Sequence, residues 1–241
     1  MEIKTFINFI FNFLFKPRTQ KEEKQTLENF FQIKIKKIKE GKKSDLDDFA
    51  ERRYYKKLHI QIKNLLDIQS FKGYKILEMG AGSGLLSLHM AREGAEATLL
   101  DCSKNALAYS YMLYQELKRR GEFLGKVKFV HQNFFSESFL LDKKFDIVHN
   151  SGVIEHYNSE KSLRIVKKME GLAKTNGYVI VAVPNYFCPD LIFTWIKYRK
   201  GTERFYSKKK LKKNIKKLFS FSCKNRNFYF RLSRMDALLF C

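Results

Sequence analysis

The spacing of apolar and polar residues changes several times along the chain. Short apolar runs predict buried β-strands at residues 75–78, 97–100, 127–131, 145–149 and 178–183. Between these runs, apolar residues recur at helical spacing and predict helices at residues 85–93, 104–120 and 161–175. Strands that alternate with helices are typical of a parallel sheet covered on both faces. We therefore predict an α/β fold with a doubly wound, mostly parallel sheet, and a last strand at the chain end.

The residues before this pattern form a separate region in the prediction. Residues 1–15 are strongly apolar but fall short of the ~20 residues that a membrane-spanning helix needs. The strongest positive charge follows this apolar run, and no small-residue cleavage site comes after it, unlike a signal peptide. Three interpretations stay open for them: a helix packed on the core, an interfacial membrane anchor, or a partner-binding helix. Residues 20–41 alternate Lys with Ile and Phe, which predicts a basic amphipathic helix or strand with a solvated charged face. We predict an extension over residues 1–46 and a main domain over residues 47–241.

Composition narrows the class of protein. A chain of 241 residues with 44% hydrophobic residues can fold as one main domain. The formal charge of +22 lies mostly in the two flanks, and residues 186–218 interleave aromatic with basic residues as an insertion on the acceptor side. Nucleic acid and an anionic membrane surface therefore stay open as partners. The four cysteines include no Cys-x-x-Cys pair, which favours a reduced, cytoplasmic setting without a zinc site or disulfide framework.

A glycine-rich turn carries the strongest functional signal. Gly80, Gly82 and Gly84 follow a predicted buried strand and precede a helix, so the backbone there can approach a ligand at the helix N-terminus. The dinucleotide motif G-x-G-x-x-G would need a further glycine where Leu85 stands, which disfavours a nicotinamide or flavin enzyme. With Glu78, the run instead reads E-x-G-x-G-x-G. We expect Glu78, the three glycines and Ala81 to contact a nucleotide cofactor.

An acidic residue ends the second predicted strand. Asp101 stands where a carboxylate can accept hydrogen bonds from both ribose hydroxyls of a nucleotide. Ser103 follows as a predicted helix N-cap, so a capping role for Asp101 is the alternative. Cys102, between them, is then expected to face the adenine as a small apolar neighbour.

Residues from about 49 to 185 resemble the core of class I S-adenosylmethionine-dependent methyltransferases, particularly the branch with quinone-biosynthesis enzymes. The resemblance implies a Rossmann-like, seven-stranded sheet with an antiparallel last strand, and S-adenosyl-L-methionine as cofactor. It also implies that Glu78 supports the methionine end of the cofactor and that Asp101 holds the ribose. At the end of the third strand the family has Asp and an apolar residue that read the adenine; here they are Asn133 and Phe134.

Residues 145–157 resemble the fourth motif of the same family, which places Asn150 beside the cofactor and the methyl acceptor beside the following loop. Some quinone O-methyltransferases bind a metal through Glu-x-x-Glu-His; the first of those glutamates is Gly152 here, so we expect no metal. Where the acceptor must lose a proton, His156 is the candidate base, with Glu155 or Tyr157 behind it. A structural hydrogen-bonding role for His156 is the alternative.

Together these features predict methyl transfer to a small-molecule or lipid-like acceptor by in-line displacement, in a cytoplasmic protein for which a peripheral position at a membrane stays open. A nucleic-acid methyltransferase is one alternative, but the Asn-Pro-Pro-Tyr motif of amino-methylating enzymes is replaced by Asn-Ser-Gly-Val at residues 150–153. A non-catalytic cofactor-binding or scaffold protein is the other.

Overall fold

A computed structural model describes residues 20–122, 125–137, 139, 141, 144–184, 228–233 and 238–240. The apolar run at residues 1–15, the membrane-binding segment predicted at residues 1–18 and the insertion predicted at residues 186–218 lie outside the described residues. The domain boundary between residues 46 and 47 stays a prediction.

Five parallel strands form the centre of the fold, in the order β3-β2-β1-β4-β5. Their bounds are β1 Lys75–Met79, β2 Glu96–Asp101, β3 Lys126–His131, β4 Phe145–Ser151 and β5 Ala173–Pro184. The order reverses between β1 and β4, so the carboxyl ends of these two strands flank the crevice in which open α/β sheets bind ligands. Two short strands follow, β6 Phe228–Ser233 and β7 Leu238–Phe240.

Helices precede the sheet and connect its strands. They are α1 Gln20–Lys39, α2 Phe49–Leu66, α3 Leu85–Arg92, α4 Lys104–Arg119 and α5 Ser159–Leu172, with a short 3-10 helix over Ile154–His156. The helical alternative for residues 20–41 is thus confirmed. No helix in the part of the chain that the structure describes is long and apolar enough to cross a membrane.

Alternate residues of the central strands contact helices on opposite faces of the sheet. Ile76 and Ile147 pack with residues of α2 and α3, whereas Leu77 and Val148 pack with residues of α5. All four side chains are fully buried. The predicted doubly wound arrangement is therefore confirmed for the five central strands.

The junction between α5 and β5 differs from its prediction. The helix predicted to reach Thr175 ends at Leu172, and β5 begins at Ala173 instead of Tyr178. Ala173 pairs with Phe145, and the register then shifts so that Tyr178 pairs with Ile147. The prediction was wrong because pairing with β4 overrides the helical propensity of Ala173 and the residue after it. Glycine at position 177 suits this register shift, because the strands approach closely there. A Cβ on Gly177 would lie only 2.9 Å from Phe145 O.

Candidate cofactor and active site

The glycine-rich turn lies between β1 and α3 and is tied to β2. The N–H groups of Gly80 and Ala81 both donate to Leu100 O, at 2.8 and 3.0 Å. Ser110 Oγ of α4 donates to Gly82 O at 2.7 Å. These bonds hold the turn at the carboxyl edge of the sheet, where the first turn of α3 presents its free N–H groups.

Positive φ angles explain why the turn uses glycine. The φ values of Gly80, Gly82 and Gly84 are 77°, 54° and 68°, a region that costs other residues about 1–2 kcal/mol. A Cβ on Gly80 would lie 2.6 Å from Val153 Cγ2, and one on Gly84 would lie 2.1 Å from Leu99 Cδ2. Two of these positions are therefore closed to larger residues by packing as well as by backbone conformation.

Asp101 links the turn to the start of α4. Its carboxylate, 4% exposed, accepts from Gly82 N at 2.9 Å and from Ser103 N at 2.8 Å. Burial raises the pKa of Asp101, and the N–H groups of Gly82, Ser103 and Cys102 act in the opposite direction. Ser103 accepts from Ala106 N, which confirms it as the N-cap of α4. Because a carboxylate has about four acceptor positions, these bonds leave room for a ribose hydroxyl.

Glu78 lies at the carboxyl end of β1, 3% exposed. Burial raises its pKa to about 8, and the charge of Asp101 adds to this, while the hydroxyl and backbone N–H of Ser87 hydrogen bond to the carboxylate and lower the pKa. Glu78 Oε2 is buried and has no hydrogen-bond partner among the described residues. A buried acceptor of this kind suits a cationic donor such as an ammonium group.

The predicted adenine-reading residues lie in the turn after β3. Asn133 Oδ1 accepts from Phe135 N at 2.9 Å, so one of its acceptor positions closes the turn. Phe134 is 4% exposed and belongs to the core beside α5. Cys102 is half-buried, and its carbonyl oxygen lies 3.1 Å from His131 Nε2.

Asn150 and Glu78 lie near the carboxyl ends of the neighbouring strands β4 and β1 but point to different faces of the sheet. Its amide Nδ2 is 3.1 Å from Met169 Sδ of α5, and the side chain is buried. Val148, two residues earlier in β4, packs on the same α5 face. The structure therefore places Asn150 on the sheet face opposite Glu78, and its cofactor role stays a prediction.

The loop of residues 152–157 packs directly on the glycine-rich turn through the contact between Val153 and Gly80. Gly152 N donates to Ala182 O at 3.0 Å, which anchors the loop to β5. Glu155 is 1% exposed, whereas His156 and Tyr157 are half-buried. Among the described residues, no group of three or more His, Cys, Asp or Glu side chains is arranged to hold a metal.

Helix α1 contributes two residues that the sequence prediction did not assign to the site. The carboxylate of Glu28 accepts from Lys104 N and Asn105 N, each at 3.2 Å, at the start of α4. Phe31 is 4% exposed, and its Cζ would lie 3.5 Å from a Cβ on Gly82. The spacing of apolar residues in α1 indicates a buried face, but the local sequence does not predict that this face packs against α4.

A sheet of this order, with a glycine turn after β1 and acidic residues near the ends of β1 and β2, defines a Rossmann-like fold with a nucleotide site at the carboxyl end of β1. A family model described as a methyltransferase domain matches residues 70–229, and the chain belongs to that family. It is an enzyme that uses S-adenosylmethionine.

Individual relatives agree with this membership. The chain is 28% identical over 209 residues to the ubiquinone biosynthesis O-methyltransferase of Pelagibacter ubique, covering 80% of this chain and 76% of that protein. It is 29% identical to the mitochondrial ubiquinone biosynthesis O-methyltransferase of Schizosaccharomyces pombe, over 52% of this chain and 46% of the relative. With several of its curated relatives the match thus spans about half of their length.

Solved structures agree on the fold. Magnesium protoporphyrin IX methyltransferase from Synechocystis, solved with bound S-adenosylhomocysteine, has a TM-score of 0.51 at 18% identity, covering 71% of this chain and 76% of that one. Mitomycin 7-O-methyltransferase has a TM-score of 0.51 at 15% identity, covering 66% of this chain and 47% of that one.

Proposed function

We propose that this enzyme transfers a methyl group from S-adenosylmethionine to a hydroxyl oxygen of a small-molecule acceptor. The observation that carries the proposal is the contact of the 152–157 loop with the glycine-rich turn through Val153 and Gly80. His156 N donates to Val153 O at 3.2 Å, so the half-buried His156 and Tyr157 belong to the same loop that contacts the turn on which the cofactor would lie. The similarity to ubiquinone biosynthesis O-methyltransferases supports an oxygen acceptor.

The residues present fit the cofactor. Glu78 holds the ammonium of the methionine end through Oε2, which has no partner among the described residues. Asp101 accepts a ribose hydroxyl beside its two backbone bonds. Bound S-adenosylmethionine supplies an electrophilic methyl carbon, which the acceptor oxygen attacks in line while the carbon–sulfur electron pair stays on sulfur.

The remaining cofactor contacts would come from the carboxyl ends of β1, β2, β3 and β4. Backbone atoms of the glycine-rich turn would hold the methionine end, and the turn after β3 would hold the adenine. The proposed contact residues are Gly80, Ala81, Gly82, Gly84, Cys102, Asn133, Phe134 and Asn150. Asn133 keeps an acceptor position for the adenine amino group beside its bond to Phe135 N.

His156 acts as the general base that removes the proton of the acceptor hydroxyl. Its ring is half-buried, and the neighbouring Glu155 is almost fully buried. Alignment of the two reacting atoms accounts for most of the rate, because positioning alone is worth ~7–11 kcal/mol. His156→Ala is expected to lower kcat and to leave S-adenosylhomocysteine affinity unchanged.

Transfer of labelled methyl groups tests the acceptor class. The full chain is incubated with labelled S-adenosylmethionine and cell extract, which is then separated into small metabolites, lipids and RNA. Label in the small-metabolite fraction, released by reagents that cleave methyl ethers, is the expected result. Label in RNA would favour the nucleic-acid alternative, and label in lipids a lipid-like acceptor. Failure to bind S-adenosylhomocysteine and to transfer any label would favour a scaffold role.

We propose also that β6 and β7 complete a seven-stranded sheet with an antiparallel last strand. The backbone register supports this: Val179 pairs with Phe228 in parallel, and Tyr229 pairs with Phe240 antiparallel. Slow amide exchange throughout Phe228–Ser233 is the expected result, and rapid exchange across that range would contradict it.

A peripheral position at an anionic membrane is proposed from the exposed face of α1. Phe30 and Ile33 are 49% and 57% exposed, one helical turn apart, and Lys36 and Lys37 follow on the exposed surface. Apolar side chains beside lysines suit an anionic lipid surface. The double change Phe30→Ser and Ile33→Ser should reduce co-sedimentation with vesicles of mixed phosphatidylcholine and phosphatidylglycerol. Equal sedimentation of both proteins would contradict this.

A further inference from the structure

Three polar side chains from three different elements meet beneath the glycine-rich turn. They are Glu78 at the end of β1, Ser87 in the first turn of α3 and His149 in β4, and Ser87 and His149 are fully buried. His149 Nε2 lies 2.9 Å from Ser87 Oγ, and His149 Nδ1 lies 3.9 Å from Glu78 Oε1. A buried polar group is costly unless it is hydrogen-bonded, so the direction of each bond in this cluster has consequences.

His149 lies between Ser87 and the Glu78 carboxyl. Burial lowers the pKa of His149 to about 3, so the ring is neutral and carries one N–H. In one tautomer Nε2–H donates to Ser87 Oγ, and in the other Ser87 Oγ–H donates to Nε2. In both tautomers Nδ1 faces Glu78 Oε1 and has no hydrogen-bond partner in the described part of the chain. The hydroxyl and backbone N–H of Ser87 also lower the pKa of Glu78, so Ser87 acts on the same carboxyl.

We propose that His149 is a positioning residue for the cofactor, because together with Ser87 it orients the Glu78 carboxyl toward the ammonium group of the methionine end. The hydrogen bond to His149 Nε2 fixes the side chain of Ser87. His149 Nδ1 lies 3.9 Å from Glu78 Oε1, and Oε2 stays available. The inference rests on the placement of the methionine end at Glu78 proposed above.

Two amide variants of His149 separate positioning from packing. In His149→Gln the side-chain amide can reach the position of Nε2 and hydrogen bond with Ser87 Oγ, whereas in His149→Asn the side chain is too short to do so. Each variant is titrated by calorimetry with S-adenosylhomocysteine and with 5′-methylthioadenosine, which lacks the amino-acid end. Thermal melting establishes that each full-length variant is folded.

A selective loss is the expected result. His149→Asn should weaken S-adenosylhomocysteine binding about tenfold, which corresponds to about 1.4 kcal/mol, with 5′-methylthioadenosine changed less than about twofold. His149→Gln should recover most of the affinity. Ser87→Ala removes only the middle hydroxyl and should reproduce the selective loss. Equal weakening of both ligands, or equal effects of the Gln and Asn variants, would overturn the proposal.

Two further variants keep the possible failures apart. Glu78→Gln tests the placement of the methionine end: if it does not weaken S-adenosylhomocysteine selectively, that placement is wrong. If Glu78→Gln is selective and His149→Asn is not, the positioning role alone is wrong. His59→Gln is the matched control for loss of a buried histidine, because His59 is 9% exposed and lies beside Glu93 of α3's C-terminal end. It should change the melting temperature without changing the ratio of the two affinities.

Discussion

Asp101→Asn replaces one carboxylate oxygen with an NH2 group at the junction of the glycine-rich turn and α4. The carboxylate accepts from Gly82 N and Ser103 N, one bond on each oxygen. Asparagine keeps one acceptor oxygen and turns an NH2 group toward one of the two N–H donors. The variant therefore loses one charged hydrogen bond within the protein and weakens the acceptor that we assign to the ribose.

The size of each effect follows from these contacts. A buried N–H left without an acceptor costs about 1–3 kcal/mol of unfolding free energy. Burial disfavours the charged form of Asp101 and raises its pKa. Asparagine is neutral, so the variant avoids the cost of burying a charge, which offsets part of the loss. Loss of a charged hydrogen bond to the ribose is worth about 1.5–3 kcal/mol, or roughly 10- to 150-fold in the dissociation constant.

Calorimetry with S-adenosylhomocysteine and urea denaturation measure the two effects separately. Ser103→Ala is the matched control: it loses the N-cap bond to Ala106 N, worth about 1 kcal/mol, but keeps the backbone N–H that Asp101 accepts. We expect similar stability losses in both variants and weaker binding only in Asp101→Asn. If Asp101→Asn binds as tightly as Ser103→Ala, the ribose assignment is refuted.

Two further predictions concern the turn and the buried carboxyl. Gly84→Ala should lower the unfolding free energy measured by urea denaturation by about 1–3 kcal/mol more than Gly121→Ala does. Both glycines have φ near 70°, but only a Cβ at Gly84 would meet a neighbour, Leu99, at 2.1 Å. Equal losses of unfolding free energy would contradict this. Burial raises the pKa of Glu78 to about 8, so its stabilising contribution without cofactor is complete below its ordinary pKa of 4.5 and is lost as the pH rises through 8. The stability difference between wild type and Glu78→Gln should follow that pH range, and a constant difference would contradict the shift.

Most of the central sheet and the glycine-rich turn could be predicted from local sequence. The runs before Gly80 and Asp101 are apolar, short and followed by residues that suit a turn or a cap, so strand, turn and helix could each be predicted from neighbours in sequence. The start of β5 could not be predicted in this way, because Ala173 adopts strand conformation only by pairing with Phe145. Such pairings depend on residues far away in the chain.

The site contacts that were missed have the same cause. His149 lies in a predicted strand, and its partner Ser87 is 62 residues away. A titratable residue inside an otherwise apolar strand was the available signal, because a buried polar side chain requires a partner. The apolar spacing of α1 likewise indicated a buried face around Phe31, without indicating Gly82 as its neighbour.

The bond between Glu28 and the first amide of α4 also sets an order of events during synthesis. The two residues are 76 positions apart. At a translation rate of about 5–20 residues per second, α1 waits roughly 4–15 seconds for α4 to emerge from the ribosome. During that interval Phe31 has no α4 to cover it. The nascent chain therefore completes the packing of α1 on α4 only after the β1 turn and β2 have been made.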